Sequence, residues 1–238
     1  VTASASADAY VAGDFFEGSI AGRYLFGADM AGQPVRYGLT REDGSYTPPG
    51  YDRYRFGTYR AYTYGGGIYQ TLARADTVLG PDGLVHERVR LPGNAAGTPT
   101  TIVWSASVTD PARQELGARR EITLHPGLFY VGLLPKTTFI DLAREQTMTV
   151  DVITVDPNGV PVSDKPVEVE LIRQHWNSVR EVGSDGRLRW TSELVEESAF
   201  LSGTARLAKR LLILASLHGR PVAGGRCAAM VSVKRRAR

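Results

Sequence analysis

The chain has 238 residues, 42% of them hydrophobic and 22% charged, with a formal net charge of +3. That length suits two domains of about 100–150 residues each, and the composition is too apolar for a disordered chain. No run approaches the ~20 apolar residues of a membrane span, and a single cysteine, Cys227, excludes an internal disulfide.

Strands are predicted wherever apolar residues alternate at period two between turn signals. In the first part they fall near 2–9, 14–25, 33–41, 68–75, 84–91, 100–109 and 114–124, seven in all. Along 100–109, Ile102, Trp104, Ala106 and Val108 alternate with Val103, Ser105 and Ser107. Pro81-Asp82-Gly83 and Asp110-Pro111 read as turns, and His125-Pro126-Gly127 as a short linker. The second part carries strands near 128–134, 147–155, 165–173, 176–182 and 186–194. There Met148, Val150 and Val152 alternate with Thr149 and Asp151, and Val167, Val169 and Leu171 with Glu168 and Glu170. Two strands of a seven-stranded sandwich are then missing. The expected fold is all-β: two consecutive Ig/fibronectin-III-like β-sandwich domains, the second incomplete, followed by a basic helical or disordered C-terminal tail. The boundaries are read as 1–125, 126–198 and 199–238.

A weak internal repeat supports two like modules. Residues 27–41 align with 159–173, matching Gly27 with Gly159, Pro34 with Pro166, Val35 with Val167, Leu39 with Leu171 and Arg41 with Arg173. Asp82-Gly83 pairs with Asp185-Gly186 at a shorter offset, so the first copy carries an insertion, placed at about 42–70. This insertion holds seven of the eleven tyrosines, Pro48, Pro49 and the run Gly65-Gly66-Gly67. A connection this long is usually functional or mobile. Tyr and Arg bury much area while keeping polar handles. Tyr51, Tyr54, Arg55, Tyr59, Arg60 and Tyr62, with Arg53 among them, are therefore the candidate interface residues. The preferred expectation is that these rings pack against a surface outside the first seven-stranded core, such as the second module.

From residue 199 the sequence changes character. Glu197 is the last acidic residue and nine Lys and Arg follow it, so the chain up to Glu197 has 19 basic and 25 acidic residues, a net charge of −6. An acidic body disfavours nucleic-acid and anionic-membrane surfaces. In the tail, Leu207, Leu211, Leu214 and Leu217 stand at helical spacing around Ile213. It reads as a translation that has left its native frame near 199, with a basic amphipathic membrane helix or an interaction tail ending in Lys234-Arg235-Arg236-Ala237-Arg238 as alternatives. Val1–Asp8 lacks the basic start and apolar run of a signal peptide, so the chain is expected to begin after processing or inside a larger protein.

Chemical sites find no support in the motifs. His86, His125, His175 and His218 lack the spacing of zinc ligands, the glycine run is not a phosphate-binding loop, and no GxSxG elbow occurs. The carboxylates show no Glu-x-x-His or EF-hand pattern. The expectation is a non-enzyme with no cofactor, no metal and no catalytic residue.

The strings AYVAGDFFEGSIAGRYLFGADMAGQPVRYGLTREDGSYTPPGYDRYRFG (9–57), LPGNAAGTPTTIVWSASVTDPARQE (91–115) and HPGLFYVGLLPKTTFI (125–140) resemble a macroglobulin domain of the bacterial α2-macroglobulin family. VDVITVDPNGVPVSDKPVEVELIRQHWNSV (150–179) is similar to the start of the next such domain. The resemblance covers roughly residues 1–197. It implies fibronectin-III-like scaffold domains of an endopeptidase inhibitor that traps proteases, in the periplasm or cell envelope. The implied partners are proteases, met through the full-length parent, and neighbouring macroglobulin domains, with no nucleic acid and no membrane span. The family's thioester needs a Cys-x-Glu-Gln string. Ala143 precedes Glu145-Gln146 where that Cys would stand, and Ala228-Ala229-Met230 follow Cys227, so no thioester is expected. The rival readings are an independent adhesion module holding a protein or glycan through the Tyr-rich loop, and an accessory domain of a carbohydrate-active enzyme.

Overall fold

A computed structural model describes residues 1–57, 69–94, 97–136, 146–182, 187–207, 210–217 and 227–235. The chain forms two compact units, Val1–Thr47 with Gly57–Leu128, and Pro48–Phe56 with Phe129–Arg238. Every regular element among the described residues is a strand.

The first unit contains β1 (Thr2–Ala5), β2 (Ala9–Val11), β3 (Phe15–Ala21) and β4 (Pro34–Asp43). Past the insertion follow β6 (Tyr69–Val78), β7 (Leu84–Arg90), β8 (Thr100–Thr109) and β9 (Glu115–His125), the label β5 belonging to the second unit. A three-stranded sheet, β1-β3-β7, and a five-stranded sheet, β2-β9-β8-β4-β6, share one core. Their pairings are antiparallel except β2 with β9. The strand expected over 2–9 is thus two strands in different sheets. At the switch the Ser6 amide donates to the Glu17 carbonyl, and the Ser6 and Tyr10 hydroxyls lie 2.8 Å apart.

The period-two pattern accounts for the core. Val35, Tyr37, Leu39 and Arg41 point inward from β4, and Ile102, Trp104, Ala106 and Val108 from β8. Val103, read as outward, is also buried. Trp104 is wholly enclosed, with the rings of Phe16 and Tyr37 edge-on at 5.4 and 5.2 Å, and its Nε1–H donates to the Ser19 carbonyl. Tyr37 donates its hydroxyl to Glu87 at 2.6 Å, a β4-to-β7 link. His125, read as linker, ends β9 and is buried, with the Tyr46 ring edge-on at 4.7 Å.

The second unit contains β5 (Arg55–Phe56), β10 (Tyr130–Pro135), β11 (Gln146–Val155), β12 (Lys165–Val182), β13 (Leu188–Leu207), β14 (Arg210–Leu217) and β15 (Cys227–Arg235). Its sheets are β14-β11-β10-β5 and β13-β12-β15. The strands expected at 165–173 and 176–182 are one strand, β12, whose pairing with β13 runs from Lys165↔Leu207 to Val182↔Leu188 with an irregularity between Leu171 and Arg173. The irregularity falls just before residues 174–175, where the sequence pattern suggested a break, and the ladder continues through them.

Among the described residues of the tail, expected to be helical or disordered, strands are found instead. Arg210–Leu217 is β14, paired with β11 from Gln146↔Leu217 to Ile153↔Arg210, and Cys227–Arg235 is β15, paired with β12. The eight-residue run Arg-Leu-Leu-Ile-Leu-Ala-Ser-Leu fits a strand buried on both faces as well as it fits a helix, and periodicity alone does not separate the two. With 165–173 and 176–182 merged into β12, these two segments and β5 bring the described strands of the second unit to seven.

The repeat has a structural counterpart. Gly27 and Gly159 both take positive φ, +94° and +81°, in the turns before β4 and β12. Val35 and Val167, near the start of each strand, are both buried. Asp185-Gly186 lies outside the described residues.

Candidate functional site

The insertion leaves the first unit after Thr47 and returns to it at Gly57. Its stretch 48–56 belongs to the second unit. The local sequence dictates the path. Pro48-Pro49-Gly50-Tyr51 forms a turn closed by the Tyr51 amide on the Pro48 carbonyl, with Gly50 at φ +82°. Proline at the second position and glycine at the third are what a type II turn requires. A second turn is closed by the Tyr54 amide on the Tyr51 carbonyl, and the Tyr51 and Tyr54 rings meet edge-on at 5.6 Å. The chain then extends as β5, antiparallel to β10, pairing Phe56 with Gly132 and Arg55 with Leu133.

Beneath this segment lies one face of the β10–β11 pair. The register Tyr130↔Val155, Gly132↔Ile153 and Leu134↔Asp151 puts these residues on a common side. Phe56 sits over Gly132, where a Cβ would stand 2.6 Å from the Phe56 ring and 3.0 Å from Ile153 Cγ1. The ring also meets Tyr130 edge-on at 6.1 Å. Two residues earlier, Tyr54 donates its hydroxyl to Asp151 Oδ2 at 2.8 Å. Asp151 is completely buried. A buried carboxylate is costly without hydrogen bonds, and a phenol supplies one. At the far end, the Pro49 carbonyl abuts Gly159 where a side chain would begin.

Of the candidate interface residues, the structure therefore brings Tyr54 and Arg55 onto the second unit's sheet, with Tyr51 against Tyr54. Tyr51 and Tyr54 are half-buried and Arg55 is exposed. Tyr59, Arg60 and Tyr62 lie outside the described residues, as do Gly65-Gly66-Gly67 and His218. Asp151 was read as solvent-facing in an alternating strand. Instead Val150–Val155 are all buried, because β11 lies inside its sheet and Tyr54 reaches over its second face. Phe56, Tyr130 and Gly132 were not among the sequence-predicted site residues, and Gly159 stood out only as a position of the repeat. The spacing of Tyr54 and Phe56, which puts two aromatics on one side of an extended segment, was the available signal.

A second polar feature lies in the first unit. Arg41 is buried at the end of the core, donating from Nη2 to the Pro92 carbonyl and from Nη1 to Gln70 Oε1, while its Nε has no acceptor. Burial lowers its pKa. The same cause pushes the pKa of His125 below the ordinary histidine value. The ion pairs of this unit, such as Arg36–Asp76 and Arg88–Glu17, are exposed and contribute little. Among the described residues no three His, Cys, Asp or Glu side chains gather where a metal could be held. Among them, too, no helix is long and apolar enough to cross a membrane.

No model of a protein family matches the chain. A curated α2-macroglobulin homolog of Nostoc sp. is 26% identical over 179 residues, 73% of this chain and 9% of the relative. Among solved structures, Salmonella α2-macroglobulin reacted with methylamine superposes with a TM-score of 0.66 at 14% identity, covering 98% of this chain and 16% of that one. Escherichia coli α2-macroglobulin activated by porcine elastase gives 0.59 at 14% identity, covering 92% and 22%. The chain thus spans a small part of the proteins it matches. By sequence the chain is similar to an α2-macroglobulin homolog, and by fold its all-β units are similar to part of the bacterial α2-macroglobulins.

Proposed function

We propose that this chain is a non-catalytic scaffold portion of a protease-trapping macroglobulin, and that it meets proteases only through the full-length parent. The observation that carries the reading is superposition over nearly the whole chain onto part of an α2-macroglobulin whose described state is activation by an elastase. Scaffold work fits the geometry. Each β-unit has edge strands to offer to neighbouring domains, and Tyr51 and Tyr54 of the insertion serve packing. The same reading puts the protein in the periplasm or cell envelope.

The test is incubation of residues 1–238 with elastase and labelled methylamine. The expected result is full protease activity and no covalent conjugate. Stoichiometric inhibition by the chain alone, or a conjugate lost on Cys227→Ser, would overturn the assignment. So would a glycan or protein ligand bound saturably and lost on Tyr51→Ala with Arg55→Ala, which would favour an adhesion module.

A further inference from the structure

We propose that the second unit is a strand acceptor: the β10 edge and the face of Tyr130, Gly132, Asp151 and Ile153 form a binding site for a peptide of two turns that ends in a short strand, with aromatic residues two positions apart, and residues 48–56 are its resident ligand. Three features support a recognition site over incidental packing. The peptide's backbone adds to the sheet beside β10, giving sequence-independent hydrogen bonding along an edge. Its alternate side chains then meet complementary features. Phe56 fills the space that Gly132 leaves by lacking a Cβ, and Tyr54 brings a phenol to a carboxylate with no exposure to water. At the third point, the Pro49 carbonyl occupies space that only a glycine at 159 leaves open, and Gly159 already needs a positive φ. Shape, charge and backbone pairing thus select Pro-Gly-Tyr-Asp-Arg-Tyr-Arg-Phe and segments like it.

The donor is joined to its acceptor through the first unit, since the chain departs at Thr47 and returns at Gly57. An edge strand left bare would expose unpaired N–H and C=O groups beside a buried acid. The second unit therefore depends on a segment separated from it in sequence by all of 57–128, and the same face will take that segment in trans when the resident copy is removed.

Replacing residues 48–57 in the full chain by a Gly/Ser stretch of equal length tests this by amide exchange. Exchange in 130–135 and 150–155 should rise roughly tenfold or more, the equivalent of at least one hydrogen bond to a charged group. Exchange in β8 and β9 should not change. A synthetic peptide of residues 47–57 should restore the protection saturably, and the same peptide with Tyr54→Phe and Phe56→Ala should not. Unchanged exchange in 130–135, or a wild-type peptide without effect, would overturn the proposal. Should the replaced chain fail to fold, a double-mutant cycle in the otherwise intact chain decides. Gly132→Ala should weaken the unit less when Phe56→Ala is already present, because the clash partner is gone. Strict additivity of the two substitutions would refute the assignment.

Discussion

Trp104→Ala isolates the core of the first unit. Trp104 is fully enclosed between Phe16 and Tyr37, and its indole N–H is 3.3 Å from the Ser19 carbonyl. Truncating a buried Trp removes the transfer energy of the ring and leaves a cavity, about 3–5 kcal/mol together. The two edge-on ring pairs, about 0.5–1.5 kcal/mol each, are lost within that total. The Ser19 carbonyl also loses a donor. We expect about 4 kcal/mol, a large share of a net stability of roughly 5–15 kcal/mol. Trp190→Ala is the control. That ring is 68% exposed beneath the Arg180 guanidinium at 5.4 Å, so its loss should cost under about 1 kcal/mol. Urea unfolding followed by far-ultraviolet circular dichroism measures both variants. Amide exchange in β8 and β9 assigns the transition to the first unit, as a chain of two units need not unfold in one step. Equal costs for the two variants, or a Trp104→Ala cost below about 1.5 kcal/mol, would refute the idea that this ring organises the sandwich.

Three further outcomes follow from the geometry. Burial lowers the pKa of His125, so the unfolded chain takes up a proton first as pH falls; stability should be full above about pH 6.5 and decline as pH drops toward the folded value. His125→Phe should flatten that decline, and an unaltered pH slope in the variant would count against it. Burial, then the bond to Glu87 and its charge, push Tyr37 up to about 12, so its contribution is complete below pH 10 and is lost as pH rises through 12. An absorbance titration should lose its highest-pH tyrosine in Tyr37→Phe and no other. Gly83 has φ +69°, and a Cβ there would stand 2.7 Å from the Gly22 carbonyl oxygen, so Gly83→Ala should cost on the order of 1–3 kcal/mol; a neutral melting temperature would contradict that geometry.

Much of the first unit was legible because a half-buried strand writes its two faces into the sequence. Val35 to Arg41 and Ile102 to Val108 alternate, and the alternation tells which side is inward. The match of Gly27 with Gly159 in the repeat was legible for a similar local reason, since both backbones take φ values that glycine tolerates. Sheet membership was not legible. Nothing local tells Ala9–Val11 to leave the sheet of Thr2–Ala5, because strand pairing is a long-range choice between equivalent backbones. The apolar run of 210–217 carried no period that separates helix from strand, and only its ladder with β11 decided it. The candidate site divides along the same line. Composition alone marked Tyr51, Tyr54 and Arg55 as unusual, since aromatic and arginine residues crowd an otherwise loop-like stretch. Their destination, and the roles of Gly132, Asp151 and Gly159 in receiving them, required the tertiary structure. The partners are 76 to 110 residues away along the chain, counting from Phe56 to Gly132 and from Pro49 to Gly159, and at that separation only three-dimensional packing brings a ring to the glycine that makes room for it.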